Sequence, residues 1–463
     1  MLSVEPDGCL EALSHLSDAS GRHLKDFESL VAVESVSQVG AVEPAMLEAA
    51  RLIEQHLRAI GLRQTELITI GEAAPYVFAS SPEVPGAPTV LLYAHYDVQP
   101  VGDPADWSSD PFTLTSRDGR LYGRGAADDK GGVIAHIAAL EAWLAGAGGL
   151  PLTVKVLVEG EEEIGSRQFR ELLAQDAARF ACDFVVIPDS MGWEVGRPAM
   201  TCSTRGAVTG VVEFIGLPKA LHSGTWGGVN PDPTLSLCAA LASLTTSDGA
   251  VNLEALRNRD RSPAETIRQL DAISPAEVAE RLGIDELASA DTNLSEKLWN
   301  EGWLTVVGFD APRVLSAPLA IQPSARAKIN LRLPPGVNPE KAADEVAARI
   351  RERTPTGLQS STTFTSVQEG WVADLSHPAY PAAQSALETA YGSPVARQGT
   401  GGTLPLLRWL ARYLHDPACI VLGIADPFSN VHAVDESVHL GSWRSLCAAE
   451  TLMLGNLATV RVS

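Results

Sequence analysis

The chain has 463 residues, of which 45% are hydrophobic and 20% charged, which is the composition of an ordinary globular protein and excludes global disorder. Lys and Arg total 35 against 57 Asp and Glu, giving a formal net charge of −22. A field of this sign repels nucleic acids and anionic membranes, so we expect neither as a partner. It also leaves carboxylates in surplus for binding cations.

The length predicts two or three domains. The amino terminus has no basic segment followed by a continuous apolar run, and no stretch reaches the roughly 18 apolar residues of a membrane span. The six cysteines form no CxxC pair, so we expect buried thiols in a reducing compartment. We therefore expect a cytoplasmic protein.

Continuous apolar runs alternate with segments of helical period from about residue 24 to 186, and again from about 377 to 460. The runs are TVLLYA (89–94), LTVKVLV (152–158), FVVIP (184–188) and CIVLGI (419–424). Continuous apolarity is typical of strands buried on both faces. It predicts an α/β domain, with a mixed, mostly parallel sheet and helices on both faces, formed by residues 1–206 and 373–463.

The middle of the chain has a different pattern. Residues 325–333 alternate strictly between apolar and polar side chains, as in a strand with one face in water. Residues 339–352 have helical spacing, and 362–367 are rich in β-branched residues. These patterns predict a smaller α+β domain over 207–372, inserted into the first, to which a polar helical segment near 256–300 belongs.

Potential metal ligands follow each of the four apolar runs. They are His95 and Asp97, the acidic segment 159–163, Asp189, and His432, and Asp128 and Asp129 precede a predicted helix over about 131–144. Taken singly, each is better explained as a solvated loop residue or a structural histidine. Ligands of open α/β sheets bind beyond the carboxyl ends of the strands, so we expect the set to come together.

One histidine and one carboxylate per metal, with one shared carboxylate, is the ligand set of a two-metal hydrolytic site. Such a site also needs a carboxylate outside the metal shell to accept a proton from water. The adjacent Glu162 and Glu163 could divide these two roles, although spacing alone does not decide between Glu161 and Glu162 as the base.

Six motifs resemble one known family. They are HYDVQP (95–100), WSSDPF (107–112), DGRLYGRGAADDKGG (118–132), EGEEEIGS (159–166), IPDS (187–190) and LHSGTWGG (221–228). Together they resemble the co-catalytic metallopeptidases that include carboxypeptidase G, aminoacylase, succinyl-diaminopimelate desuccinylase and the carnosinase-like cytosolic dipeptidases. DVQP and WSSDPF most resemble the dipeptidase branch. The likeness runs in order over almost the whole chain and is weakest at 1–20 and 250–310.

The resemblance implies a metal-binding catalytic domain and an inserted, ferredoxin-like lid or dimerisation domain. It implies two divalent ions per subunit, one held by His95 and Asp189 and the other by Glu163 and His432, with Asp128 as the bridge. Two imidazoles favour Zn²⁺, and three carboxylates leave Mn²⁺ as an alternative.

The resemblance also implies roles around the metals. Glu162 is the general base that activates the bridging water and later protonates the leaving amine. Asp97 orients the imidazole of His95, unless it is only a turn or capping residue. His222 stabilises the oxyanion in the active site of the partner subunit, which implies a homodimer. The alternative for His222 is a surface turn residue.

A glycine-rich turn precedes a predicted helix in QGTGGTLPLLRWL (398–410), so its backbone N–H groups could receive an anion. The segment lacks the Gly-Lys-Ser/Thr of a P-loop. Arg332 resembles the substrate-binding arginine of the family. We predict that it forms a clamp for a substrate carboxylate together with Gly401, Gly402 and Thr403. An ordinary helix start is the alternative. His377 also matches a position near the substrate in dipeptidases, but is explained more simply as a helix-start residue.

The predicted function is metal-dependent hydrolysis of dipeptides that carry a free carboxyl terminus. An N-acyl-amino-acid deacylase or a carboxypeptidase is the alternative within the same family. A catalytically silent amino-acid-binding protein is the alternative from another class. A complete ligand set together with a base argues against the silent protein, because binding alone needs no base.

Overall fold

The computed structural model describes residues 7–38, 42–260, 264–285, 287 and 293–461. No helix within these ranges is both long enough and apolar enough to cross a membrane. All six cysteines lie in the described part of the chain, and each is a free thiol. Cys238 is exposed and Cys182 half-buried, so the expectation of buried thiols is wrong for these two.

Helices and strands alternate over most of the described chain. The α-helices are α1 (Cys9–Val31), α2 (Pro44–Ala59), α3 (Lys130–Glu141), α4 (Phe169–Gln175), α5 (Ala177–Phe180), α6 (Ser223–Trp226), α7 (Pro233–Ala242), α8 (Glu254–Arg257), α9 (Ala264–Ile267), α10 (Pro275–Leu282), α11 (Leu294–Asn300), α12 (Pro339–Glu352), α13 (Ala379–Tyr391), α14 (Pro405–Tyr413) and α15 (Leu440–Ala458). The strands are β1 (Gln64–Ile68), β2 (Tyr76–Ser80), β3 (Thr89–His95), β4 (Thr115–Arg117), β5 (Arg120–Tyr122), β6 (Thr153–Glu159), β7 (Phe184–Ile187), β8 (Ala199–Thr204), β9 (Gly206–Ile215), β10 (Leu221–His222), β11 (Trp303–Asp310), β12 (Ala320–Ile321), β13 (Ser324–Leu333), β14 (Gln359–Gln368), β15 (Trp371–Val372), β16 (Ala396–Thr400), β17 (Ala418–Leu422) and β18 (Ser437–His439).

The chain forms two compact units. The first comprises Met1–Cys202, Ala373–Gln398 and Trp409–Ser463, and the second comprises Ser203–Val372 and Gly399–Arg408. The sequence prediction placed the changeovers at 206 and 372 and assigned all of 373–463 to the first domain. The structure differs in one respect that matters for function, because the glycine-rich turn at 399–408 belongs to the second unit.

The first unit contains a mixed sheet whose strands follow the order β1-β2-β6-β3-β7-β17-β8. The four predicted apolar runs form β6, β3, β7 and β17, which are neighbours and all parallel. These strands are buried on both faces over almost their whole length, as their continuous apolarity predicts. The predicted α/β fold with a mixed sheet is confirmed; its four central strands are parallel, whereas β1 with β2, β2 with β6 and β17 with β8 pair antiparallel.

Helices cover this sheet. α1, α3, α13 and α15 pack on one another, and α2 packs on β1 and β2. Every residue of α3 is buried, which explains why its apolar side chains are not confined to one face. α3 ends in a π-helical turn, Ala142–Ala147, where the predicted helix was expected to run on to about residue 144.

The second unit contains a four-stranded antiparallel sheet in the order β11-β13-β9-β14. The helices α7 and α12 pack on it, so the chain runs β-α-β-β-α-β as in ferredoxin-like domains. In β13, the apolar residues of the predicted alternation are buried, and they pack with α7 and α12 in one core. The predicted helix at 339–352 coincides with α12.

Candidate metal centre

The predicted metal ligands come together at the carboxyl ends of the parallel strands. His95 is the last residue of β3, and Glu162 and Glu163 lie in a short 3₁₀ turn just after β6. Asp189 follows β7, and His432 lies in the loop between β17 and β18. All belong to the first unit. Parallel strands bring these sequence-distant residues together because their carboxyl ends lie at one edge.

Asp128 occupies the middle of the cluster. Its Oδ1 lies 2.9 Å from Nε2 of His95, and its Oδ2 lies 2.9 Å from Nε2 of His432. The two oxygens of one carboxylate therefore face two different imidazoles. A carboxylate that bridges two cations needs this arrangement, with one oxygen directed to each ion.

The donors form two groups, the second of which includes Asp128 itself. In the first, ligand atoms of His95, Glu162 and Asp189 lie within 4.8 Å of one another, and in the second the same holds for Asp128, Glu163 and His432. Asp189 Oδ2 lies 3.8 Å from His95 Nε2, and Glu163 Oε2 lies 3.1 Å from His432 Nε2. The donor set suits two divalent ions of borderline softness.

Asp97 is completely buried beneath this cluster. Its Oδ1 accepts a hydrogen bond from the backbone N–H of Glu162 at 3.2 Å, and its Oδ2 accepts one from the N–H of Glu163 at 3.0 Å. Oδ1 also lies 3.4 Å from Nδ1 of His95, whose ring faces the backbone oxygen of Asp97 at 3.0 Å. Asp97 thus connects the imidazole on β3 to the glutamates after β6.

The pKa values of the cluster show that its carboxylates lack neutralising positive charge. Burial, followed by the charge of Asp128, raises the pKa of Asp189 to about 7. Burial and the charge of Asp189 raise the pKa of Glu162 well above its ordinary value. Hydrogen bonds to Asp128 and then Glu163 raise the pKa of His432 to about 10. Crowded carboxylates thus favour protons wherever cations are absent.

No Lys or Arg of the described residues is ion-paired with these carboxylates; their charged partners are the two imidazoles. Divalent cations would neutralise the same carboxylates and would be coordinated by neutral imidazole nitrogens. The residues present therefore fit a pair of such ions.

Two further residues of the site carry no recognisable signal of their own in the sequence. Gln99 donates from Nε2 to Oε2 of Glu163 at 2.9 Å, which fixes the orientation of that carboxylate. Glu436 accepts the backbone N–H of Asp128 at 3.2 Å. Gln99 lies within the DVQP motif, which was noted for family resemblance and not for this contact.

His222 belongs to the second unit and is exposed, at the end of β10. Its Nδ1 accepts a hydrogen bond from the backbone N–H of Thr225 at 3.2 Å. Since Nδ1 acts as an acceptor, the proton of the neutral ring lies on Nε2, which leaves that nitrogen as a donor. The first unit brings its metal-ligand candidates together without His222.

The predicted carboxylate clamp also lies in the second unit. Nη1 of Arg332 donates to Oγ1 of Thr403 at 3.0 Å. The N–H of Gly402 donates to Oγ1 of Thr400 at 3.1 Å, so this group already has a partner within the turn. Arg205, which the sequence prediction missed, donates from Nε to the carbonyl of Gly401 at 3.4 Å.

His377 lies two residues before α13. Its Nδ1 accepts the N–H of Ala379, the first residue of α13, at 3.2 Å, and its ring lies edge-on to Phe184 at the amino end of β7. Asp189 follows the opposite, carboxyl end of that strand. The simpler explanation of His377 as a helix-start residue therefore agrees with its contacts.

A mixed α/β sheet with paired imidazole and carboxylate donors at the carboxyl ends of its strands is the arrangement of a metal-dependent hydrolytic site. The sequence profile of peptidase family M20/M25/M40 matches residues 91–454. The chain belongs to this family, and the predicted resemblance to co-catalytic metallopeptidases is confirmed.

Several relatives are similar over most of their length. The cysteinylglycine-S-conjugate dipeptidase of Corynebacterium striatum is 34% identical over 393 residues, covering 84% of this chain and 86% of that protein. The Beta-Ala-His dipeptidase of Rattus norvegicus is 29% identical over 439 residues, covering 88% and 87%. The crystal structure of human carnosine dipeptidase 1 superposes with a TM-score of 0.80 at 25% identity, covering 98% of this chain and all of that one.

Proposed function

We propose that this metallopeptidase is a dipeptidase, which hydrolyses the amide bond of dipeptides with a free terminal carboxylate. The observation that carries the proposal is the placement of Asp128, whose two oxygens face two different imidazoles at 2.9 Å. The relatives described as dipeptidases support the substrate class. The predicted cytoplasmic location stays a prediction.

Two divalent ions would be held on the two sides of Asp128, which serves as the shared ligand. His95 and Asp189 complete one side, and Glu163 and His432 complete the other. We propose Zn²⁺ as the metal, with Mn²⁺ as the alternative, because the set combines two imidazoles with three carboxylates. When bound, the ions would supply Lewis acidity toward the amide carbonyl and the attacking water.

Glu162 is proposed as the general base. It follows β6 in the same turn as Glu163, and one of its carboxylate oxygens lies within 4.8 Å of ligand atoms of His95 and Asp189. A carboxyl group of this kind can hold a proton between two transfers. Glu162 would take the proton from water during attack and release it to the nitrogen of the leaving amine.

Glu162 can act in this way only if its carboxylate is held in place. The hydrogen bond from its own backbone N–H to Asp97 fixes the turn that carries it. We propose Asp97 as the residue that orients both this turn and the His95 ring.

Recognition of the substrate is proposed for the second unit. Arg332, with Gly401 and Thr403, would hold the terminal carboxylate, and the guanidinium can form two parallel hydrogen bonds with it. The N–H of Gly402 would have to leave Oγ1 of Thr400 to take part. Arg332 is only half-buried and, among the described residues, forms no ion pair, so its charge is available to an anion.

His222 is proposed to donate from Nε2 to the oxyanion in the active site of a second subunit, which requires a homodimer. The strand β11 supports dimerisation, because it is an edge strand whose apolar residues Val306, Val307 and Phe309 are 40% or more exposed. An exposed apolar edge of this kind is a surface on which another chain can pair.

The test combines metal analysis with activity on one set of purified proteins. The wild type should contain two equivalents of metal and cleave a dipeptide, with less activity on the dipeptide amide and on an N-acyl amino acid. Glu162→Gln should keep both ions and lose at least about 100-fold in turnover, which is the usual contribution of a general base. Its matched control is the neighbouring Glu163→Gln, which should lose metal.

Three outcomes would contradict the proposal. Preference for the N-acyl amino acid or for longer peptides would favour a deacylase or a carboxypeptidase. Metal binding without turnover on any of these substrates would favour a silent binding protein. Near-normal turnover of Glu162→Gln, or loss of an ion from it, would refute the role of this residue.

A further inference from the structure

A buried ion pair lies behind the metal-ligand candidates. Nη1 of Arg124 donates to Oε2 of Glu436 at 2.8 Å, and each side chain is only 1% exposed. The two residues are 312 positions apart in the sequence. Glu436 lies at the end of the loop that carries His432, and Arg124 begins the segment that leads to Asp128.

The carboxylate of Glu436 also receives three backbone N–H groups from that segment. Oε2 accepts from Gly125 at 3.0 Å, and Oε1 accepts from Ala127 at 2.9 Å and from Asp128 at 3.2 Å. The backbone oxygen of Glu436 accepts the N–H of Gly123 at 2.9 Å. One residue of the His432 loop thus organises the backbone from 123 to 128.

The loop that carries His432 needs such support. Asn430, His432 and Asp435 all have positive φ angles, between 50° and 63°, although none is glycine. Such a conformation costs roughly 1–2 kcal/mol per residue and persists only where the surroundings enforce it. The imidazole of His432 is also 52% exposed, so packing alone does not fix its position.

We propose that Glu436 is a positioning residue that sets the distance between Asp128 and His432. It thereby sets the affinity for the cation that Glu163 and His432 would hold. Its carboxylate accepts the backbone N–H of Asp128, and its own backbone is continuous with the loop that carries His432. The inference rests on the proposed metal-binding role of Asp128 and His432.

The chemistry of the network requires a carboxylate at this position. A glutamine at 436 has the same shape, but one oxygen is replaced by an NH₂ group. That group would oppose either the N–H of Gly125 and the guanidinium of Arg124, or the N–H groups of Ala127 and Asp128. In either orientation, the NH₂ group faces two hydrogen-bond donors, so two of the four hydrogen bonds to this carboxylate are lost.

The test is a titration of the metal-free full-length protein with Zn²⁺ alone, measured calorimetrically or against a chromophoric chelator. Residues that orient metal ligands from behind typically contribute about 10–100-fold in affinity. Glu436→Gln should therefore bind at least one of the two Zn²⁺ ions about 10–100-fold less tightly than the wild type.

Glu141→Gln is the matched control. Glu141 is also buried and paired with an arginine, Arg22, but it belongs to the end of α3 and touches no metal-ligand candidate. Glu141→Gln should leave both Zn²⁺ affinities within about twofold of the wild type. If weaker Zn²⁺ binding came only from a general loss of stability, this control would bind Zn²⁺ less tightly as well.

The Zn²⁺ titration can refute the proposal in two ways. Wild-type affinity in Glu436→Gln, or an equal loss in Glu141→Gln, would overturn the proposal. If Glu436→Gln does not fold because Arg124 is left unpaired, the double variant Arg124→Gln with Glu436→Gln removes both charges and is judged by the same criterion. A wild type that binds neither Zn²⁺ nor, in the same titration, Mn²⁺ would instead refute the proposed function, and this inference with it.

Discussion

Replacing Asp97 by asparagine tests whether a buried carboxylate holds the metal site together. Its two oxygens accept the N–H groups of Glu162 and Glu163, at 3.2 Å and 3.0 Å. In asparagine one oxygen becomes NH₂, so one of these N–H groups would face a donor instead of an acceptor. The contact with the His95 ring would also lose its charge.

The magnitude follows from these contacts. A buried hydrogen bond to a charged group contributes about 1.5–3 kcal/mol, so the free energy of unfolding of the metal-free protein should fall by about 2 kcal/mol. The His95 ring and the glutamate turn would both lose an orienting contact. We therefore expect the Zn²⁺ affinity to fall by about 10–100-fold.

The assay measures both quantities on the same preparations, by urea unfolding in the presence of a chelator and by Zn²⁺ titration of the metal-free protein. Asp183→Asn is the control, because Oδ2 of Asp183 accepts the N–H of Thr89 at 2.7 Å, at the opposite end of β3. It should lower stability without changing Zn²⁺ affinity. Wild-type affinity in Asp97→Asn would refute the reasoning.

Two further predictions concern other parts of the chain. Burial opposes ionisation of Glu141, but the hydrogen bond from His23 and the charge of Arg22 outweigh this effect and lower the pKa of Glu141. The ionised Glu141 therefore stabilises the fold above the unfolded pKa of about 4.5, and this stabilisation is lost as pH falls through the lower pKa of the folded state. Glu141→Gln should therefore melt below the wild type at pH 7, with a gap that narrows below about pH 4; a gap independent of pH would contradict this. His222→Ala and Glu162→Gln subunits, each inactive alone, should regain one working site in a mixed dimer; no recovery after verified subunit exchange would show that His222 does not act across an interface.

The central sheet could be predicted from the sequence because its signal is local. Four continuous apolar runs were enough to identify β3, β6, β7 and β17, since strands buried on both faces tolerate few polar residues. The cluster of candidate ligands followed from the same pattern, because parallel strands place the residues after them at one edge. His95 and Asp189 are direct examples.

Other features depend on contacts between distant segments, which no local pattern records. The turn at 399–408 is close in sequence to the second half of the first unit, yet it packs with the second unit. Its Gly402 N–H was predicted to be free, but the Oγ1 of Thr400 accepts it. Arg205 was missed because nothing beside it in the sequence indicates that it will meet Gly401.

Asp128 best shows how local and distant contacts combine. Unlike His95, which ends β3, and Asp189, which follows β7, it is not at the end of a strand of the central sheet, so the sheet alone cannot position it. Its backbone is held by Glu436, from the same loop as His432, while its carboxylate lies between the two imidazoles. A change in that loop therefore moves the shared ligand together with one of the imidazoles. If the proposed site shares Asp128 between two ions, such a change would affect the binding of both.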